Sequence, residues 1–140
     1  MSRRFELSVS TQDRGMLEIT DLLNQALPAH TTDAALAHVF VKHTSASLVV
    51  TGNEDPNLLS DIESYLQRSI PDGDPRYQHN NEGEFDTSGH IRAILTGESK
   101  TLPLVDGQLD LGRYQGLFLY EHRAGQNTRT LIITLSWINH

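Results

Sequence analysis

Hydrophobic positions recur along the chain with two different periods. Phe5, Leu7 and Val9 alternate with Glu6, Ser8 and Ser10, the period-two pattern of a half-buried strand. Ala35, Ala37, Val39 and Val41 repeat it, and Leu48, Val49 and Val50 predict a further strand soon after. Leu58, Leu59, Ile62, Leu66 and Ile70 instead fall on one face at helical spacing. Asp55-Pro56 opens that helix with a capping carboxylate and a proline suited to the first helical position. Thr20 or Asp21 can cap a short helix through Leu22, Leu23 and Ala26 that ends near Pro28.

Residues 71–88 are polar and punctuated by Pro71, Gly73, Pro75 and Gly83, which predicts a long loop. A loop of that length in a compact domain is commonly functional. A short helix around residues 90–95 is expected to stop at Gly97. Residues 101–105 and 108–111 flank Asp106-Gly107, a hairpin-turn pair. Residues 116–122 and 128–137 read as a second hairpin around residues 124–127, with Leu131, Ile133, Leu135 and Trp137 on one face. The sum is an α+β domain over residues 1–140, mostly antiparallel strands with two or three packed helices.

Eleven Lys and Arg against eighteen Asp and Glu leave a net charge of -7. That charge speaks against nucleic acid or anionic membrane as partner. No apolar run approaches the ~20 residues of a spanning helix. The stretch Met1 to Glu6 lacks the apolar core of a signal peptide, so a cytoplasmic location is expected. The chain has no cysteine. Disulfides, thiolate nucleophiles and cysteine-ligated metals are thereby excluded, and any metal must be held by His and carboxylates. The glycine-rich nucleotide loops and the HExxH and GxSxG motifs are missing too.

Candidate chemistry gathers at a few places. His43 continues the inward face of Ala37, Val39 and Val41, either as a satisfied core histidine or as part of a site. Thr44, Ser45 and Ser47 beside it read as a turn or as hydroxyls that bind an anion. Glu54 and Asp55 read as helix-terminal carboxylates or as a pair aimed at a cleft. The long loop carries Tyr77, His79, Glu82, Asp86 and His90, a donor set suited to a metal. Arg113 and Gln115 could orient a polar ligand or merely line a surface connection.

Several strings of residues resemble the YjbQ-like family, in order and over nearly the whole chain. They are His43-Thr44-Ser45-Ala46-Ser47-Leu48, Asn53-Glu54-Asp55-Pro56 with Asp61, Tyr77-x-His79-x-x-Glu82-Gly83, and Asp86-x-x-x-His90-Ile91. Pro103, Gly107, Leu109, Gly112, Gln115-Gly116 and Glu121-His122-Arg123 continue the likeness. Members of that family are described as secondary thiamine-phosphate synthases. The resemblance implies a β-sandwich assembled as a homotrimer, with a metal, usually zinc, held between subunits by three histidines. Matched position by position, these are His43, His79 and His90, with Glu54, Asp61, Arg113 and Gln115 as catalytic neighbours and His122 outside the ligand set. Two segments depart from the family's pattern. Asn53-Glu54-Asp55-Pro56 is shortened, and Thr87-Ser88-Gly89 stands where Met-Pro-Ala or Met-Pro-Ser is usual.

The implied reaction joins hydroxymethylpyrimidine diphosphate to thiazole phosphate and releases pyrophosphate. An acidic chain is a poor funnel for two phosphorylated substrates, which fits a weak activity. A metal-dependent hydrolase using Glu54 or Glu82 as base, and a non-catalytic trimeric binder of small anions, stand as the alternatives.

Overall fold

The computed structural model describes residues 2–28 and 35–137; Met1, part of the stretch read for a leader, lies outside them. The chain runs β1 (Ser2–Thr11), β2 (Gly15–Glu18), α1 (Thr20–Ala26), β3 (Ala35–Val41), β4 (Ala46–Gly52) and α2 (Pro56–Ser69). It continues through α3 (Asp86–Thr96), β5 (Ser99–Val105), β6 (Gln108–Leu109), β7 (Gln115–Glu121) and β8 (Asn127–Trp137). A five-stranded sheet has the order β1-β8-β3-β5-β6, and a three-stranded sheet the order β2-β7-β4, with every pair antiparallel. This is the α+β sandwich expected from the sequence.

The two sheets close on one core. Ala37, Val39 and Val41 of β3 and Leu131, Ile133 and Leu135 of β8 meet Leu48 of β4 and Leu117 and Leu119 of β7. β7 is buried on both faces, because Tyr120 packs on its far side against Leu66 and Ile70 of α2. Its unbroken apolar run therefore reports a middle layer, with helices as the third. Among the described residues no helix is long and apolar enough to cross a membrane.

Three local expectations change. β7 and β8 do not form a hairpin: they lie in different sheets and face each other across the core. Alternation looks the same whether two strands pair edge to edge or stack face to face. The first helix begins at Thr20 with Ile19 at its cap position, and no side chain caps it. The Thr20 hydroxyl instead accepts the Leu117 amide and donates to Glu18. The third helix begins at Asp86, four residues before the stretch expected, because Thr87-Ser88-Gly89 carries little helical signal of its own. Gly89 packs closely on His122, where an added Cβ would stand 3.4 Å from the His122 Cβ. The other elements follow the pattern. Asp55 caps α2 by accepting the Asn57 amide at 2.9 Å. Asp106 and Gly107 turn β5 into β6 with φ of 50° and 78°, the left-handed pair of a tight hairpin.

Candidate metal centre

The long loop and the start of α3 bring three ligand side chains together. One ligand atom from each of His79, Asp86 and His90 lies within 4.8 Å of the others. Asp86 and His90 are one helical turn apart, so both project from the same face of α3, while His79 comes from the loop above. Asp86 Oδ2 is buried and makes no well-formed hydrogen bond. The Nε2 atoms of His79 and His90 face it at 2.5 and 3.3 Å.

The tautomer of His90 follows from its other nitrogen. Nδ1 lies 3.0 Å from the Thr44 carbonyl oxygen, which can only accept, so Nδ1 carries the proton. In the neutral ring the Nε2 lone pair is then turned onto the Asp86 carboxylate. Two acceptors facing each other repel unless a proton or a cation lies between them. The carbonyl behind the imidazole is the usual support of a metal-ligating histidine. Two imidazoles and a carboxylate also match the oxygen and nitrogen ligands that zinc takes. The residues therefore fit a divalent metal. Burial would raise the Asp86 carboxyl, but the positive charge that His90 carries when protonated, with His79 and Arg123 after it, outweighs burial and holds the group below its ordinary range.

His43 stands beside His90 and is not part of the mutually close trio. Its Nδ1 accepts the Ser45 amide at 3.0 Å, which leaves its proton on Nε2. Burial, and after it Arg129 and Arg123, lowers its pKa, so the ring is neutral at pH 7. His43, Thr44, His90, Ala93, Ile94 and Glu98 line a cavity of about 330 Å³. Thr44 is exposed there. Ser45 and Ser47 are fully buried, and their hydroxyls meet His90 at 3.2 Å and His122 at 3.0 Å. These two hydroxyls contact the rings of His90 and His122, and Thr96 also donates to Ser47.

The remaining expected residues lie elsewhere in the chain. β4 and β7 pair from Ala46↔Glu121 at one end to Gly52↔Gln115 at the other. His43 and Ser45 precede the first end; Glu54, Arg113 and Gln115 adjoin the second. A seven-residue strand separates them, about 20 Å at strand rise. Gln115 is occupied in its own turn, its Oε1 accepting the Gly112 amide at 2.7 Å. Arg113 lies over the Tyr114 ring, and Glu54 and Asp61 are exposed.

Asp86, the carboxylate of the cluster, reads in the sequence as a loop carboxylate and as the first residue of the Asp86-x-x-x-His90 string, outside the three-histidine ligand set that the resemblance implies. Its i, i+4 spacing to His90 is the available signal, and it goes unused where the sequence pattern places the helix only from residue 90. His122 is a buried core histidine. It is buried against Tyr120 with ring centroids 4.4 Å apart, and burial followed by Arg92 pushes it down to about 3.

Fold and site together define an α+β sandwich protein with a two-histidine, one-carboxylate cluster at one end of its smaller sheet. The family described as UPF0047 protein YjbQ-like matches residues 5–137, and the chain belongs to it. A UPF0047 protein of Synechocystis is 36% identical over 130 residues, covering 93% of this chain and 88% of that one. YjbQ of Escherichia coli O157:H7 is 37% identical over 130 residues, covering 92% and 94%. A conserved hypothetical protein of Thermus thermophilus superposes with a TM-score of 0.82 at 30% identity, covering 96% of this chain and 99% of that one.

Proposed function

We propose that the protein is a metal-dependent enzyme acting on a small phosphorylated metabolite. The observation that carries this reading is the His79–Asp86–His90 cluster, with the His90 tautomer fixed by Thr44. His79, Asp86 and His90 would hold the ion. A bound divalent cation supplies charge stabilisation to a departing phosphate or diphosphate. His43 presents Nε2–H to the adjoining cavity, where it can donate to negative charge without itself being charged. Arg123, 3.3 Å from Asp86, adds a cation at the rim.

The reaction proposed is the joining of hydroxymethylpyrimidine diphosphate to thiazole phosphate, as a weak activity, in a homotrimer. Resemblance motivates the reaction. The separation of Glu54 and Arg113 from the cluster supports the assembly, since a head-to-tail contact between copies would bring one end of β4 to the other. Hydrolysis is the second reading, favoured by the donor set, because two histidines and a carboxylate with an open position also suit activation of water. The test is a panel of phosphorylated substrates run with zinc-loaded and chelated protein. Chelator-sensitive formation of thiamine phosphate supports the first reading. Chelator-sensitive phosphate release from single substrates supports the second. Metal saturation without turnover on either arm overturns both.

A further inference from the structure

His79 reaches the cluster from a loop with little packing of its own. Its side chain is 53% exposed, and the loop surrounds a cavity of about 300 Å³ lined by Gly73, Tyr77, His79, Glu84 and Thr87 among others. A histidine on such a loop would sample many positions unless polar contacts fixed it.

Those contacts converge on the first turn of α3. The Thr87 hydroxyl donates to the backbone carbonyl of His79 itself. The Ser88 hydroxyl donates to Asp72, at the start of the loop. Asp72 is held in turn by Arg14 from the β1–β2 turn, through Nη1 at 3.0 Å and Nη2 at 3.4 Å. The guanidinium of Arg14 also lies 4.7 Å over the ring of Phe85, the residue that precedes α3. Gly73 and Glu84 close the loop base with a backbone hydrogen bond of 2.8 Å. Arg14 and Asp72 are largely buried, with side chains 14% and 20% exposed, so their bidentate pair is shielded from screening. Thr87 and Ser88 lie between the ligands Asp86 and His90. The same helical turn therefore carries two ligands and the anchors that locate the third.

We propose that Thr87, Ser88, Asp72 and Arg14 form a tether that positions His79 against Asp86 and His90 and sets how tightly the cluster holds a divalent cation. They are positioning residues, since none of the four supplies a ligand to the cluster. The inference rests on the metal reading for its affinity arm and stands on loop geometry for the rest.

The experiment uses the full chain and Zn²⁺ as probe. Thr87→Val removes one hydroxyl at nearly constant shape, Ser88→Ala removes the other, and Asp72→Asn removes the charge that Arg14 pairs with; Thr87→Ser keeps the hydroxyl. Arg76→Ala is the control, because Arg76 is exposed in the same loop and its ion pair is with Asp74, outside the tether. Zn²⁺ affinity is expected to fall roughly 10–100-fold in Thr87→Val and Asp72→Asn, as for loss of outer-shell partners of metal sites, and to return in Thr87→Ser. Hydrogen exchange at residues 78–82 of metal-free protein should quicken in the same variants. Arg76→Ala should change neither. Using both Thr87→Val and Ser88→Ala guards against one variant failing to fold. Variants that melt like wild type yet exchange and bind like wild type overturn the tether. Wild-type protein that binds no Zn²⁺ overturns the metal reading, and the exchange rates then decide the tether alone.

Discussion

The Nδ1 atom of His90 lies 3.0 Å from the carbonyl oxygen of Thr44, and this bond places a proton on Nδ1, the nitrogen turned away from Asp86. The carbonyl belongs to the segment that leads into β4, whereas His90 is on α3. The site is thus wired across two layers of the fold. Replacing His79 by Ala should leave folding within about 0.5 kcal/mol, since an exposed loop side chain contributes little to the core. The same change should lower metal affinity at least roughly 10-fold. His38→Ala is the control, because His38 sits on the exposed face of β3 and, among the described residues, bonds Thr101 alone. Metal content after dialysis, read beside thermal melts, checks both. A folded His79→Ala protein with a full complement of metal would remove the cluster from consideration.

Glu121 and Arg129 make the best-shielded ion pair among the described residues, with side chains 1% and 4% exposed. Arg129 donates through Nε at 2.8 Å and Nη2 at 2.7 Å, and Thr11 adds a third bond at 2.6 Å. Arg129→Met strands a buried carboxylate and should cost about 3–5 kcal/mol. The double variant Glu121→Gln/Arg129→Met should cost clearly less, because no charge is left unpaired. Urea denaturation of the three proteins checks the order.

Stability should fall as the medium is acidified, beginning before the carboxylates titrate. His122 is pushed down to about 3, whereas an unfolded histidine titrates near pH 6.5. Between those values the unfolded chain takes up a proton that the folded chain refuses. Stability is therefore complete above about pH 6.5 and declines by at most about 1.4 kcal/mol per pH unit below it. His43, also lowered, acts in the same direction. Asp86, Glu63 and Glu121 are depressed as well, so their contributions disappear only at more acid pH. Urea midpoints of chelated protein should drop from pH 7 to pH 5, and drop less in His122→Phe. A wild-type midpoint higher at pH 5 than at pH 7 would contradict the assignment.

Glu54→Gln should keep its metal, because Glu54 lies a strand's length from the cluster in its own chain. If neighbouring copies complete the site, a mixture of inactive Glu54→Gln and His90→Ala subunits, unfolded and refolded together, should regain part of the wild-type turnover. Light scattering that showed a stable monomer at micromolar concentration would dispose of this arrangement.

The sequence by itself determined the alternating faces of β1 and β3, the Asp55-Pro56 start of α2, the Asp106-Gly107 hairpin and the α+β class. Each is encoded by neighbours in the chain: a period, a cap or a turn pair. It also marked His79 and His90 as belonging to one polar segment. Tertiary structure decided that β7 and β8 stack across the core, since alternation does not say which edge a strand pairs with. It decided that α3 begins at Asp86, where contacts of Thr87, Ser88 and Gly89 with His79, Asp72 and His122 override weak helical preference. That earlier start is what places Asp86 one turn from His90 and makes it the third member of the cluster. It also set the roles of the hydroxyls and of His43, because a tautomer depends on which backbone group lies opposite a ring nitrogen. Local sequence does not carry that information, which arises when distant segments pack.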